Sequence, residues 1–299
     1  MTGKLAASRA RGSLLGLAVG DAVGTTLEFR DRSEFRPITD MSGGGPFHLE
    51  RGQWTDDTSM ALCLATSLVE CGGFDARDQM ERYCRWAEEG YLSSTGYCFD
   101  IGNTVRAALA AFLRTGEPFS GSADPFSAGN GSVMRLAPIP IYYFDEPDRL
   151  EDLAADSSRT THGAEECLDA CRLFAGMMRR ALAGASREEV LAAEDFQGES
   201  AIEAIAQGGY RQKTRDQIQG LGYVVPSLEA ALWCFHRSEC FEEAILLAAN
   251  LGDDADTTAA ICGQVAGAFY GEEGIPGRWL DWLTMRSEIA ALAQRLAEH

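Results

Sequence analysis

Apolar residues recur at helical spacing over eight stretches of the chain, 54–70, 76–87, 102–113, 162–185, 225–235, 240–251, 257–270 and 279–297. A 3.6-residue period lines one face of an α-helix, so each stretch is expected to be helical. Alternation with period two is scarce. The best strand candidate, 139–144, is short and follows Pro138, and the fold class expected is all-α. Glycine and proline gather at 41–47, 116–130, 207–222 and 271–277, which are expected to be loops. None is a low-complexity linker and none marks a shift in composition, so residues 1–299 are expected to form one compact helical domain.

Composition changes this picture in three places. With 45% hydrophobic residues the chain can bury a real core, and its formal net charge of −19 argues against general affinity for nucleic acid or an anionic membrane. A small anionic ligand would need local compensation. No stretch approaches the roughly 18 uninterrupted apolar residues of a membrane span. The start, with Lys4, Arg9 and Arg11 ahead of the apolar run 14–19, imitates a signal peptide. That run is too short, is broken by Gly16, and has no small-residue cleavage pattern after it. Nine cysteines, an odd number with no Cys-x-x-Cys, suit a reducing cytoplasm better than a disulfide framework. Cys167 and Cys171, four apart on an expected helix, read as small core residues.

The candidate chemistry lies in two clusters about 200 residues apart. Thr55-Asp56-Asp57-Thr58 stands directly ahead of one apolar helix and Asp253-Asp254-Ala255-Asp256-Thr257 ahead of another. Either alone reads as an N-cap, whose oxygens accept from free amides and complement the helix dipole. Together they hold more carboxylates than capping needs, and packing like charges is unfavourable unless a cation offsets them. An all-oxygen ligand set favours a hard cation over zinc. Two helix starts could hold a pair of ions, an arrangement that activates water without a nucleophilic triad. Only four histidines are present.

Other segments are unusual for plain helix packing. Gly20-Asp21-Ala22 leads to Glu28, a carboxylate after a glycine-rich stretch. Gly129-Asn130-Gly131-Ser132-Val133-Met134-Arg135 offers a turn opening into a helix, where backbone amides can cradle a phosphate. Asp100 precedes a helix, as a cap or a ligand; Thr161-His162 and Gly222-Tyr223 offer an imidazole and an aromatic face.

This ordered set resembles the ADP-ribosylglycohydrolase family, over roughly residues 10–280, and within it the branch acting on dinitrogenase reductase and on ADP-ribosylarginine. The resemblance implies an orthogonally packed all-α domain with two Mg²⁺ or Mn²⁺ ions at the base of a cleft. Thr55, Asp56, Asp57, Asp254, Asp256 and Thr257 would be the metal ligands, and Asp253 an extra carboxylate where many relatives have glycine. Glu28, on a gating loop, and Asp57 would be catalytic. Gly129, Asn130, Gly131 and Ser132 would hold the phosphates, His162 a ribose or phosphate, Tyr223 the adenine, and Asp100 the distal ribose or the leaving group. The expected substrate is an ADP-ribosylated protein, with arginine as the preferred acceptor because a guanidinium suits an acidic cleft. An O-linked ADP-ribose and a non-catalytic role binding ADP-ribose are the competing expectations.

Overall fold

The computed structural model describes residues 5–299, and Lys4 of the cationic start lies outside them. The helices in chain order are α1 (Ala7–Gly24), α2 (Asp56–Cys71), α3 (Ala76–Glu89), α4 (Asn103–Thr115), α5 (Pro138–Tyr142), α6 (Pro147–Arg159), α7 (Glu165–Leu182), α8 (Arg187–Leu191), α9 (Ser200–Ala206), α10 (Val224–Arg237), α11 (Phe241–Ala249), α12 (Ala255–Tyr270), α13 (Gly277–Trp282) and α14 (Arg286–Ala297). Among the described residues no strand forms, and extended pairing is limited to four isolated bridges. No described helix is long and apolar enough to cross a membrane.

The centre of the molecule is the antiparallel seam between α1 and α12. A Cβ added to Gly12, Gly16, Gly20 or Gly24 would fall within 2.1–2.4 Å of the carbonyl oxygens of Gly267, Gly263, Ala259 and Ala255 respectively. Glycine every fourth residue therefore lets two backbones touch along four turns, because residues four apart share a helix face. This close approach sets the C-terminal end of α1 beside the N-terminus of α12. The other helices surround the pair, with Trp54, Trp86 and Trp279 fully buried.

Three expectations are corrected. The segment 139–144 is not a strand; Pro138 occupies the first turn of α5, where its missing N–H costs nothing. α1 lies in a stretch not expected to be helical: it is buried on nearly every side and so shows no polar face. The expected helix 279–297 is two helices, broken where Met285 takes a left-handed φ of 56°. The cysteines agree with their reading: all nine are free, and Cys167 and Cys171 are buried.

Candidate functional site

Among the described residues two α-helices carry a side-chain cap of their own: Asp75 accepts from the amides of Arg77 and Asp78 at the start of α3, and Ser186 from the amide of Glu189 at the start of α8. The two acidic clusters behave differently. Neither Thr55 nor Asp254, at the caps of α2 and α12, makes a side-chain capping bond. Their helices are capped from α1 and the turn after it. Asp21 accepts from the amides of Thr55 at 2.8 Å and Thr58 at 3.1 Å, and from both hydroxyls, at 2.8 and 2.6 Å. Glu28 Oε2 accepts from the amides of Ala255 at 2.9 Å and Asp256 at 3.3 Å. Glu28 thus takes two first-turn amides of α12 and Asp21 one of α2, while the Thr257 amide donates to Asp256 Oδ1 at 2.8 Å. The carboxylates of the two clusters face each other across a shared floor.

That floor holds two interlocking groups, Asp21 with Asp57 and Asp256, and Glu28 with Asp254 and Asp256; within each, one oxygen per residue lies within 4.8 Å of the others. Thr55 Oγ1 is 3.1 Å from Asp256 Oδ2 and 3.3 Å from Asp57 Oδ2, and Thr257 Oγ1 is 3.5 Å from Asp57 Oδ2. Asp57 Oδ1 is buried with no hydrogen-bond partner, which is costly for a carboxylate oxygen unless another group satisfies it. Asp56 lines the cleft but falls outside both groups. Burial, reinforced by neighbouring carboxylates, holds Asp56, Asp57 and Glu28 well above the usual range. The same causes push Asp21 and Asp254 up to about 7 and Asp100, chiefly through burial and then Asp56, up to about 11. A cluster held in this way is neutralised by protons or by cations.

Above the floor is a cleft of about 560 Å³, lined among others by Glu28, Asp56, Asp100, Gly129, Asn130, Gly131, His162, Asp254, Asp256 and Thr257. Its volume is within the range of small-molecule sites. A larger hollow of about 760 Å³ opens beside Arg187, Arg211 and His236; Glu188, Glu189 and Glu194 also line it, but among the described residues they form no close metal-ligating group, so volume alone does not locate the chemistry.

One wall of the cleft is the turn 129–135, which does not open into a helix as expected; the next helix begins only at Pro138. Asn130 ties this wall to the floor by donating from Nδ2 to Asp254 at 2.8 Å, and also to Ser227 at 3.1 Å. Among the described residues the amides of Gly131 and Ser132 donate to no backbone carbonyl. A Cβ at Gly131 would stand 2.7 Å from His162 Cε1, so only glycine admits the imidazole here. Burial and then Arg135 push His162 down to about 3, so the ring is neutral. Arg135 donates to Thr161 Oγ1 at 2.8 Å, and that hydroxyl is 2.8 Å from His162 Nδ1. We assign the hydroxyl proton to Nδ1 and the ring N–H to Nε2.

Tyr223 stands at the rim, 36% exposed, its hydroxyl donating to Glu166 at 2.6 Å and its backbone bridged to Gly129. Asp253 turns away from the floor. At φ 56° its backbone pairs with Arg30, and its carbonyl accepts from the amide of Phe29 at 2.7 Å. It works as a backbone clamp on the Glu28 turn rather than as another floor carboxylate.

Two residues escaped the sequence reading as site residues. Asp21 had a signal, a carboxylate inside an apolar run with glycine on the same helix face. Arg135 is fully buried, packs 4.7 Å from the Tyr83 ring and donates to Gly131 O, Ser157 O and the hydroxyls of Thr160 and Thr161. Among the described residues it forms no ion pair, so it supplies the wall with the positive charge that an acidic protein needs near an anion.

Residues 2–299 match the family model described as ADP-ribosylglycohydrolase. The chain is 48% identical to ADP-ribosylarginine hydrolase Tri1 of Pseudomonas putida (strain GB-1), over 99% of this chain and 80% of that protein. It is 33% identical to the ADP-ribosyl-[dinitrogen reductase] glycohydrolase of Rhodospirillum rubrum, over 96% of this chain and 94% of that protein. A solved structure titled ADP-ribosylglycohydrolase-related protein complex superposes with a TM-score of 0.88 at 45% identity, covering 98% of each chain. With the match extending over nearly every residue, floor and wall included, this chain belongs to the ADP-ribosylglycohydrolase family.

Proposed function

We propose that this protein is a metal-dependent hydrolase that releases ADP-ribose from arginine side chains of modified proteins. The observation that carries the reading is the shared acidic floor, braced by Asp21 and Glu28 from α1 and the turn after it, beneath a wall that offers amide donors, a neutral imidazole and a buried arginine. The name of the 48%-identical relative supports arginine as the acceptor. Nine free thiols suit a reducing compartment, and we place the protein in the cytoplasm.

The residues fit a pair of hard divalent cations, Mg²⁺ or Mn²⁺. The donors are carboxylate and hydroxyl oxygens, and Asp57 Oδ1 lacks any other partner. Thr55, Asp56, Asp57, Asp254, Asp256 and Thr257 would hold the ions, which when bound supply Lewis acidity and activate water near neutral pH. The chain's own groups do the rest. The amides of Gly131 and Ser132 receive phosphate oxygens, and the Nε2–H of His162 donates to a phosphate or ribose oxygen. The ring of Tyr223 takes the adenine. Asp100 stands beside the leaving group. Glu28 spends Oε2 on the α12 amides and keeps Oε1 to take a proton from the attacking water and pass one to the departing nitrogen, with Asp57 assisting.

The test is release of ADP-ribose from arginine-linked and serine-linked substrates, with and without EDTA and in Asp56→Ala and Asp254→Ala. Arginine-linked ADP-ribose should be released, and EDTA or either substitution should abolish release. Full activity with EDTA and in both variants would sink the metal reading, and exclusive release from serine would sink the arginine one.

A further inference from the structure

Four aromatic rings run in series along the edge of the cleft beside Glu28 and Asp100. Phe29 meets Phe47 at 6.2 Å between centroids, Phe47 meets Phe99 at 5.2 Å, and Phe99 meets Tyr97 at 5.8 Å. Phe29 and Phe99 line the cleft itself. The two ends of the series are open to solvent, Phe29 at 68% and Tyr97 at 59% exposure. Core packing does not account for rings so exposed.

Phe29 also sits on backbone that resists it. Its φ is 59°, a left-handed conformation that costs a bulky residue about 1–3 kcal/mol. The Asp253 carbonyl holds it there through the Phe29 amide, while the Asp253 amide donates to Arg30 O at 2.8 Å. The clamp fixes an exposed ring immediately after Glu28, and strain retained beside a reactive group points to use.

The chemistry of the occupant follows from what surrounds the rings. An aromatic face is electronegative and attracts a cation lying over it. The carboxyls of Glu28, Asp56 and Asp100 line the same cleft. The one arginine among its lining residues, Arg106, is turned to Asn103 Oδ1 and Ile101 O. Aromatic faces beside acids favour a cationic segment over a neutral or acidic one.

We propose that Phe29, Phe47, Phe99 and Tyr97 form the acceptor subsite, which seats the basic side chains flanking the modified residue and the guanidinium that leaves. The proposal rests on the hydrolase reading above and adds a preference for modified sites in basic sequence. Phe29→Asn, which tolerates the left-handed backbone, and Tyr97→Ser, distant in sequence from Glu28, are the variants. On a basic peptide carrying ADP-ribosylarginine, each should raise KM about 5- to 10-fold with kcat within about 2-fold. The Kd for free ADP-ribose should stay within about 2-fold, because the nucleotide sits elsewhere. Unchanged KM in both variants would overturn the proposal. An equal loss of ADP-ribose affinity would overturn it too, by assigning the rim to the nucleotide. Should the wild-type protein cleave only serine-linked ADP-ribose, the arginine reading fails while the subsite is tested by flanking sequence. A wild-type preference for basic over acidic peptides that both variants lose upholds it, and no preference overturns it.

Discussion

The floor and the wall of the cleft bury opposite charges by different means. On the floor, Asp57 and Asp256 are almost wholly buried with no cationic side chain between them, and Asp254 and Glu28 adjoin them. On the wall, Arg135 is buried with no carboxylate partner among the described residues, behind Gly131 and His162, which line the cleft. Each surface alone carries an unfavourable buried charge. Asn130 holds them in register, donating to Asp254 from the same turn that carries Gly131. The difference is what the proposed substrate would answer, with cations at the floor and a diphosphate at the wall.

The largest expected effect is on the floor. Asp256→Asn should lower kcat by about 10²–10³-fold, since Asp256 belongs to both carboxylate groups. It also removes a like charge, so in EDTA the variant should melt a few degrees higher than the wild type. Lost activity together with a lower Tm in EDTA would make Asp256 a packing residue and break the comparison.

Next in size is the wall. His162→Ala should raise KM and the Kd for ADP-ribose about 10-fold while kcat changes less than about 3-fold, as expected for one lost donor in a binding surface. A kcat effect as large as that of Asp256→Asn would mean that floor and wall do not divide the work.

A smaller effect separates protons from cations. Asp21 and Asp254 are pushed up to about 7 in the fold from an ordinary value of 3.8. Raised carboxyls stabilise the fold while protonated, so their contribution is complete below the ordinary value and is lost as pH rises through about 7. Between pH 5 and 8 the protein in EDTA should lose a few degrees of Tm that saturating Mg²⁺ restores, with the gap widening as pH rises. Melting curves that keep a constant gap would count against cation binding at these groups. The smallest effect is expected at Asp253, whose clamp is made by its backbone. Asp253→Asn should change Mg²⁺ affinity, followed by Tm against added metal, less than about 2-fold, and a larger shift would return its carboxylate to the floor.

Much of this was legible from sequence. Most helices with one apolar face declared themselves, though α6 did not, and the two Asp/Thr clusters announced a site because they held more acid than two caps require. What stayed hidden depended on contacts across the chain. α1 lacks a polar face because α12 and its neighbours enclose it, and its glycine spacing is meaningful only once the partner carbonyls are known. Asp21 and Glu28 could be seen as carboxylates but not as caps for helices elsewhere. Arg135 followed a recognisable turn, yet nothing local shows that it is buried without an ion pair. The break at Met285 carries no glycine or proline to mark it.

The seam of α1 and α12 also imposes a timetable. Asp57 and Thr257 are 200 positions apart, and at about 5–20 residues per second of synthesis the second half of the floor follows the first by roughly 10–40 s. During that interval Asp21 can already organise the turn at Thr55, but nothing yet exists to share a cation with it. A cation held by the ligand set proposed above would therefore enter a nearly finished molecule, and its uptake would be a late checkpoint on the meeting of the two backbones.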